Sequence, residues 1–256
     1  QPSELAKITL TLSLALFVGE RKNDINKIST VFFALTFCLP FFFLILIEPD
    51  LGGALILLPL TLAILFVGGT RLRHIFFIIA SGLATLPLFW HFLKGYQRQR
   101  LMVFINPNID PLGSGYTIIQ SKIAVGSGGL FGKGWLSGTQ SQLNFLPERH
   151  TDFIFSVVGE EWGFIGALIL VLLFLLIVYR AAKIIETTPN IYGKLIATGF
   201  LTLFALQVVI NIGMTIGILP IVGFPLPLIS YGGSSLITTL FYIGLLLNIG
   251  MRRTLF

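Results

Sequence analysis

Long apolar runs separated by short polar segments dominate this chain. A helix needs about 20 residues to cross the hydrocarbon core of a bilayer, and most of the runs have that length. The first run is short unless its helix begins near Pro2. Because backbone polar groups must be paired inside lipid, the pattern predicts helices rather than strands. The seven runs cover residues 5–19, 30–48, 51–69, 75–93, 153–178, 195–218 and 235–250.

The composition agrees with a membrane protein. Of the 256 residues, 55% are hydrophobic and only 11% are charged, whereas a soluble domain usually carries about a quarter charged residues. The single cysteine, Cys38, excludes a disulfide framework. The net charge of +6 does not indicate a nucleic-acid partner, because Lys and Arg orient membrane proteins and contact anionic headgroups. We therefore predict an all-α, polytopic membrane protein with about seven spans and no nucleic-acid partner.

The distribution of basic residues between the runs predicts the orientation. Ten Lys and Arg residues lie in short segments on one side, and the opposite turns, "EPDLGG" and "PIVGFPLPLISYGGSS", contain none. Short loops rich in Lys and Arg stay in the cytoplasm, which places the C-terminus inside and the N-terminus outside. The ten are Arg21, Lys22, Lys27, Arg71, Arg73, Arg180, Lys183, Lys194, Arg252 and Arg253.

One large loop, residues 94–151, falls on the outer side. It is rich in Gly, Ser, Gln and Pro, and loops of this length are usually functional or disordered. The apolar residues of "YTIIQSKIAVGSGGLFGKGWL" predict short helices across the outer mouth. A Walker A motif is excluded, because Ser127 stands at its first glycine and Gly134 follows Lys133. Lys133 and neighbouring N–H groups could instead contact a diphosphate.

Acidic residues concentrate on the same outer side. Eight of the eleven fall in the outer loop, the outer turns or the outer ends of the runs. Ionisable residues in membrane segments usually face a cavity or a partner, so these predict a water-accessible cleft. The eight are Glu4, Glu48, Asp50, Asp110, Glu148, Asp152, Glu160 and Glu161.

Two acidic positions near the start of the chain have a structural and a functional interpretation. Glu4 and Lys7 are three residues apart, so on a helix they can pair, either as an interfacial anchor of the helix end or as part of the cleft. Asp50 precedes Leu51-Gly52-Gly53 and can cap the following helix or take part in catalysis.

Asp152 also has more than one interpretation. It can cap the fifth run through its carboxylate, or it can be half-buried against Phe153 and Phe155 with a raised pKa and act as a base. Together with His150 it could share a metal, although two ligands are weak evidence. Deeper in the run, at least one of Glu160 and Glu161 should need an internal partner.

The segment "PIVGFPLPLISYGGSSL" interrupts the apolar pattern between the last two runs. Its three prolines and paired glycines predict non-helical backbone. Such backbone must lie buried in protein or line a cavity, so it is either a structural hairpin or a cavity wall.

Taken together, these segments resemble the SEDS family (shape, elongation, division and sporulation), and the wording is similar to its rod-shape-determining RodA branch. The resemblance implies a single transmembrane domain over residues 1–256, the C-terminal part of a protein with about ten spans of which the first three are missing. It is carried by "QPSELAK", "EPDLGG", "YQRQRLMVFINPNIDPLGSGYTIIQSKIAVGSGGLFGKGW", "GTQSQLNFLPERHTDFIFSVVGEEWGFIGA" and "GILPIVGFPLPLISYGGSSL".

The resemblance implies a peptidoglycan glycosyltransferase at the outer face of the bacterial cytoplasmic membrane. An acceptor 4-hydroxyl of lipid II attacks the anomeric carbon of a lipid-linked donor glycan. Undecaprenyl diphosphate then leaves, and a β-1,4 bond forms with inversion. The lipid tails require a groove between helices, and the expected partner is a class B penicillin-binding transpeptidase.

Site residues carried over from the family are Asp152 in "HTDF", the Glu4–Lys7 pair and Asp50. Asp152 is the expected general base. The leaving diphosphate needs positive charge, supplied by basic residues and by a divalent cation, Mg²⁺ or Mn²⁺, if one is used. The local basic residues are Lys7, Arg98, Arg100, Lys133 and Arg149.

Two other functions remain open at the level of sequence, a lipid II transporter and a non-catalytic scaffold. A transporter needs polar groups near the bilayer midplane. Runs two to four are almost free of ionisable residues, which favours chemistry at the surface.

Overall fold

The computed structural model describes residues 1–111, 113–143 and 145–252, and the regular structure in these ranges is helical. Arg253, one of the residues used to predict the orientation, lies outside them. The helices are α1 (Pro2–Glu20), α2 (Ile28–Ile47), α3 (Leu51–Leu55), α4 (Leu57–Val67), α5 (Leu72–Phe92), α6 (Gly95–Ile105), α7 (Ser114–Ser127), α8 (Thr139–Gln142), α9 (Ile154–Thr187), α10 (Ile191–Thr215) and α11 (Gly233–Arg252), with a 3-10 turn at Pro107–Ile109.

Six of the described helices, α1, α2, α5, α9, α10 and α11, are long and apolar enough to cross a membrane. The predicted class is confirmed, and α1 begins at Pro2, the start that gives the first run enough length. The third apolar run does not form one long helix, because it is divided into α3 and α4 by a break at Ile56. Pro59 accounts for the break, since a proline removes a hydrogen bond and collides with the carbonyl one turn earlier.

By their internal contacts, the residues form two compact units. The first contains Gln1–Phe92, Val178–Ala205 and the described part of Ile237–Phe256. The second contains Leu93–Ile177 and Leu206–Leu236. Asp152 and the large loop belong to the second unit, whereas Glu4, Lys7 and Asp50 belong to the first.

The first unit has a tightly packed core between α1, α4 and α10. Leu10, Leu60 and Phe200 are fully buried. Gly199 of α10 allows this approach, because a Cβ at that position would meet the side chains of Thr11 and Ile64. Small residues at such contacts are typical of helices that pack within a membrane.

The second unit contains the short helices predicted for the large loop, namely α6, α7 and α8. Its loop 129–134 inserts into a break in α9 at Gly163, where φ is 67° and ψ is −163°. The N–H groups of Lys133 and Gly134 donate to the carbonyls of Glu160 and Glu161, both at 3.0 Å. On the other side of the break, Phe164 N donates to Gly129 O at 2.9 Å and Ile165 N to Leu130 O at 3.1 Å.

These four hydrogen bonds explain how an apolar helix tolerates a break. In an uninterrupted α9, Phe164 and Ile165 would donate to the carbonyls of Glu160 and Glu161. The loop therefore supplies partners for all four of these groups, as a low-dielectric environment requires.

The segment between α10 and α11 is irregular, as its prolines and glycines predict. Gly217 and Gly223 have φ values of 75° and 81°, in the left-handed region that favours glycine. This segment packs on the residues around Asp152, and that contact positions the candidate site.

Candidate functional site

Asp152 lies in a turn just before α9. Thr151 N and Phe153 N both donate to the carbonyl of Glu148 at 3.2 Å, which closes the turn. The Asp152 side chain is half-buried, which agrees with the second of its two sequence-based interpretations. Burial raises the pKa of its carboxyl, the negative charge of Glu148 raises this pKa further, and the positive charge of Arg100 lowers it.

The Asp152 carboxylate accepts no hydrogen bond from any residue that the structure describes. The predicted capping of α9 through this carboxylate is therefore not formed. The irregular segment lies close to this side chain, since a Cβ added to Gly223 would lie only 3.3 Å from Asp152 Oδ2. The geometry leaves the carboxylate oxygens available to accept a proton.

The backbone around Asp152 is held at three successive carbonyls. Tyr231 N donates to His150 O at 2.8 Å. Ser230 Oγ donates to Thr151 O at 2.6 Å. Asn211 Nδ2 donates to Asp152 O at 2.9 Å. The irregular segment thus forms a wall beside Asp152, which agrees with the second of its two sequence-based interpretations.

Positive charge is available in the same unit. Arg149 Nε donates to His150 Nε2 at 3.1 Å. Arg149 Nη1 is buried and has no hydrogen-bond partner among the described residues. Residues 146–150 line a pocket of about 300 Å³ beside it. Arg98 and Arg100 lie on α6, and Arg100 is the one whose charge acts on Asp152.

Lys133 is engaged by a buried carboxylate. Its Nζ lies 2.9 Å from Glu160 Oε1, and Glu160 is fully buried. Glu160 also accepts from Thr139 Oγ1 at 3.2 Å and from the N–H groups of Gln140 at 2.9 Å and Ser141 at 3.1 Å. The prediction that one of the paired glutamates needs an internal partner is confirmed, and Lys133 already has an anchoring role.

In the first unit, Glu4 and Lys7 form the predicted pair, with Lys7 Nζ 2.5 Å from Glu4 Oε1. Both side chains are buried, and Thr238 Oγ1 donates to Glu4 Oε2 at 3.2 Å. Asp50 caps α3, because Gly53 N donates to its Oδ1 at 2.8 Å. These three residues belong to one unit and Asp152 to the other, and the meeting of the two groups at one cleft stays a prediction.

An apolar cavity of about 350 Å³ lies within the second unit between α7, α9 and α10. Phe155, only three residues after Asp152, is part of its wall. The cavity has the chemistry of a site for a hydrocarbon chain. The wall also includes Val125, Gly159, Phe164, Leu168 and Ile212.

The described ranges contain no group of three or more His, Cys, Asp or Glu side chains that could hold a metal. His150 Nε2 faces the Arg149 guanidinium, so that nitrogen is not free to bind a cation with Asp152. A divalent cation stays a prediction, and it would take most of its oxygen ligands from the substrate and water.

Asn211 and Ser230 were not identified from the sequence as site residues. Asn211 carried a signal, because a polar side chain in the apolar run 195–218 should face a partner. Ser230 stands among small residues at the end of the proline-rich segment and gave no comparable signal.

The fold and the site define a polytopic helical membrane protein with a half-buried carboxylate, Asp152, that accepts no hydrogen bond from the described residues and is influenced by the charge of Arg100. The chain belongs to the FTSW_RODA_SPOVE family of cell cycle proteins, whose model matches residues 1–255. This confirms the resemblance drawn from the sequence motifs.

Three similar proteins show how far the likeness extends. Peptidoglycan glycosyltransferase MrdB of Escherichia coli (strain K12) is 45% identical over 254 residues, covering 99% of this chain and 68% of MrdB. A chain of a peptidoglycan synthase complex, studied for the structural coordination of polymerization and crosslinking, has a TM-score of 0.81 and 39% identity, covering 99% of this chain and 70% of that chain. The crystal structure of Rod shape determining protein RodA from Thermus thermophilus has a TM-score of 0.68 and 33% identity, covering 99% of this chain and 66% of that chain.

Proposed function

We propose that this protein is a peptidoglycan glycosyltransferase that polymerises lipid II into β-1,4 glycan strands. The names of its relatives support this activity. The observation that carries the mechanism is the Asp152 carboxylate, which is half-buried and accepts no hydrogen bond from the described residues.

Asp152 acts as the general base. The acceptor 4-hydroxyl oxygen forms a bond to the anomeric carbon of the donor, while the bond from that carbon to the diphosphate oxygen breaks. The hydroxyl proton moves to the carboxylate, and the bonding electrons leave with the diphosphate. A raised pKa strengthens a carboxylate as a base, provided that it is still ionised at the working pH.

Arginine side chains stabilise the leaving diphosphate, on which negative charge develops. Arg149 is the best placed, since its buried Nη1 has no partner among the described residues and lies beside the pocket of residues 146–150. Arg98 and Arg100 on α6 add positive charge. Lys133, Glu4, Lys7 and Asp50 are retained as predicted substrate-site residues, with Lys133 acting mainly through the loop that it anchors to Glu160.

The polyprenyl tail of one substrate occupies the apolar cavity between α7, α9 and α10. Anchoring both lipid-linked substrates at the membrane surface supplies much of their orientation. A divalent cation, Mg²⁺ or Mn²⁺, remains a prediction, and no step of this mechanism depends on it.

The protein works in the bacterial cytoplasmic membrane, with its C-terminus in the cytoplasm and loop 94–151 outside. The basic residues of the short segments support this orientation. A class B penicillin-binding transpeptidase is the proposed partner, since a similar chain belongs to a complex that couples polymerization and crosslinking.

The decisive experiment replaces Asp152 by Asn in the complete protein, purified with its transpeptidase partner, and follows glycan growth from labelled lipid II. We expect the rate to fall by about a hundredfold or more, the usual contribution of a general base. Asp24→Asn is the matched control, because the Asp24 side chain is 53% exposed and pairs only with Lys27 among the described residues.

Wild-type activity in Asp152→Asn would remove this residue from the mechanism. A wild-type protein that stays inactive with its partner present would instead favour transport or scaffolding.

A further inference from the structure

Two polar side chains of the second unit contact the backbone of the candidate site and have no role in the proposed chemistry. Asn211 on α10 is fully buried, and its Nδ2 donates to Asp152 O at 2.9 Å and to Phe224 O at 2.6 Å. Ser230 Oγ donates to Thr151 O at 2.6 Å and accepts from Leu226 N at 2.7 Å. Both lie about 60 to 80 residues away from Asp152 along the chain.

The orientation of the Asn211 amide follows from its neighbours. Both contacts are carbonyl oxygens, which only accept, so the NH₂ group must face them. The amide oxygen then points elsewhere, and it is buried without a partner among the described residues. A buried acceptor without a partner is energetically unfavourable. Leucine, of similar size, would avoid this cost in an apolar helix but could not donate to Asp152.

None of the three hydrogen bonds to the carbonyls of residues 150–152 uses the Asp152 carboxylate. A hydrogen bond to a carboxylate stabilises its charged form and weakens it as a base. Holding the main chain therefore fixes the position of the carboxyl group and preserves its basicity. A direct hydrogen bond to the carboxylate would fix it equally well but would lower its proton affinity.

We propose that Asn211 and Ser230 are positioning residues that hold the backbone of His150–Asp152 so that the Asp152 carboxylate meets the attacking hydroxyl. This inference rests on the proposed function. Neither side chain touches the reacting atoms, and each acts through the main chain of the Asp152 turn.

The test uses Asn211→Leu and Ser230→Ala in the complete protein with its transpeptidase partner. Because a displacement of about 1 Å can cost a hundredfold in rate, we expect kcat to fall between about tenfold and a hundredfold. The KM for lipid II should change by less than about twofold, since the substrate contacts are intact. Ser230→Thr keeps a hydroxyl donor and should recover most of the loss caused by Ser230→Ala.

A pH profile separates positioning from simple loss of folded enzyme. In the wild type, kcat rises with pH as Asp152 ionises. When the base is displaced, the rate that does not need Asp152 becomes a larger fraction of the total, so the acid limb of Asn211→Leu and Ser230→Ala levels off at a higher fraction of the plateau. A destabilised protein would instead lose the same fraction of its rate at every pH.

Ser121→Ala is the matched control for Ser230→Ala. Ser121 is fully buried in the same unit, and its hydroxyl donates to Thr215 O at 2.7 Å without contacting residues 150–152. We expect this control to keep the acid limb even if it lowers the melting temperature. Hydrogen–deuterium exchange gives a readout independent of activity: the peptide containing residues 150–152 should exchange faster in Asn211→Leu and Ser230→Ala but not in Ser121→Ala.

The outcomes separate this inference from the proposed function. If Asp152→Asn is inactive while Asn211→Leu and Ser230→Ala keep the wild-type kcat and acid limb, the positioning role is wrong and the base assignment stands. If Asp152→Asn is fully active, both are wrong. Equal losses in Ser121→Ala and Ser230→Ala at every pH would reduce Ser230 to a structural role and overturn its part of the inference.

Discussion

Asp152 combines two conditions that usually exclude each other in a carboxylate. It is buried enough to raise its pKa, yet it accepts no hydrogen bond from the described residues. Glu148 and Arg100 act on this pKa in opposite directions. The sequence offered a half-buried position against Phe153 and Phe155 as one of two interpretations, but it could not show the opposing effects of Glu148 and Arg100, because Arg100 lies about 50 residues earlier in the chain.

The opposing effects of Glu148 and Arg100 can be tested with pH profiles of kcat/KM, which report the pKa values of the free enzyme. The base works only when ionised, so activity falls as the pH drops through a pKa that lies above the ordinary aspartate value. Arg100→Gln removes the charge that lowers this pKa and should move the acid limb to higher pH. Glu148→Gln removes a charge that raises it and should move the limb to lower pH.

The two displacements should therefore be opposite in direction. Lys22→Gln changes an exposed cation in the first unit and serves as the control. If both variants keep the wild-type limb, the group that titrates is not Asp152.

At the scale of elements, the junction between α9 and loop 129–134 shows how a distant segment completes a helix. The loop supplies all four hydrogen bonds across the Gly163 break. The side-chain contact of Lys133 with Glu160 and the edge-on packing of Trp135 against Trp162 reinforce the same junction. The loop that leads toward the Asp152 turn is thereby fixed to the helix that follows it.

This junction predicts that Gly163 does not tolerate a side chain. Its φ of 67° with ψ of −163° is a conformation that is essentially restricted to glycine. A Cβ there would also collide with the backbone of Leu130 and Gly132. We expect Gly163→Ala to destabilise the protein by about 2–4 kcal/mol, measured as a lower melting temperature in detergent.

Gly82→Ala is the control for this substitution, because Gly82 lies in α5 with nothing within 4 Å of an added Cβ. It should be neutral or slightly stabilising, since alanine favours the helix. Equal stability of Gly163→Ala and Gly82→Ala would contradict the described break.

The elements differ in how well the sequence predicts them. Run length and apolarity were sufficient for six of the seven predicted spans and for the start of α1, because a bilayer imposes both properties. The break at Gly163 was not predicted, since hydropathy does not show which helical bonds a loop replaces. Burial cost correctly predicted that Glu160 or Glu161 needs a partner, but Lys133 could be identified as that partner only from the fold.

At the scale of the whole molecule, residues distant in the chain are assembled within each compact unit. The Asp152 turn, α6 and the segment between α10 and α11 meet in the second unit, although they span residues 95–232. Periodicity and hydropathy describe each segment alone and carry no information on which segments pair. Only the motif resemblance indicated that these segments share one site, and it did so without identifying Asn211 or Ser230.

The orientation in the membrane is the property of the whole molecule on which the proposed reaction depends, and the chain is well suited to a labelling test. Its single cysteine, Cys38, is 1% exposed, so added cysteines can be read against a low background. We expect Leu143→Cys, at an exposed site in the large loop, to react in intact cells with a maleimide that cannot cross the membrane.

Lys183→Cys lies near the end of α9 that is assigned to the cytoplasm, and it should react only after the cells are permeabilised. The Cys38→Ser protein without an added cysteine is the blank. Lys and Arg in short loops are retained in the cytoplasm, whereas the proposed reaction requires loop 94–151 to reach the face where glycan strands grow. Labelling of Lys183→Cys in intact cells with protection of Leu143→Cys would place Asp152 on the cytoplasmic side. A polymerase acting on the outer face would then be excluded, whatever the chemistry of its carboxylate.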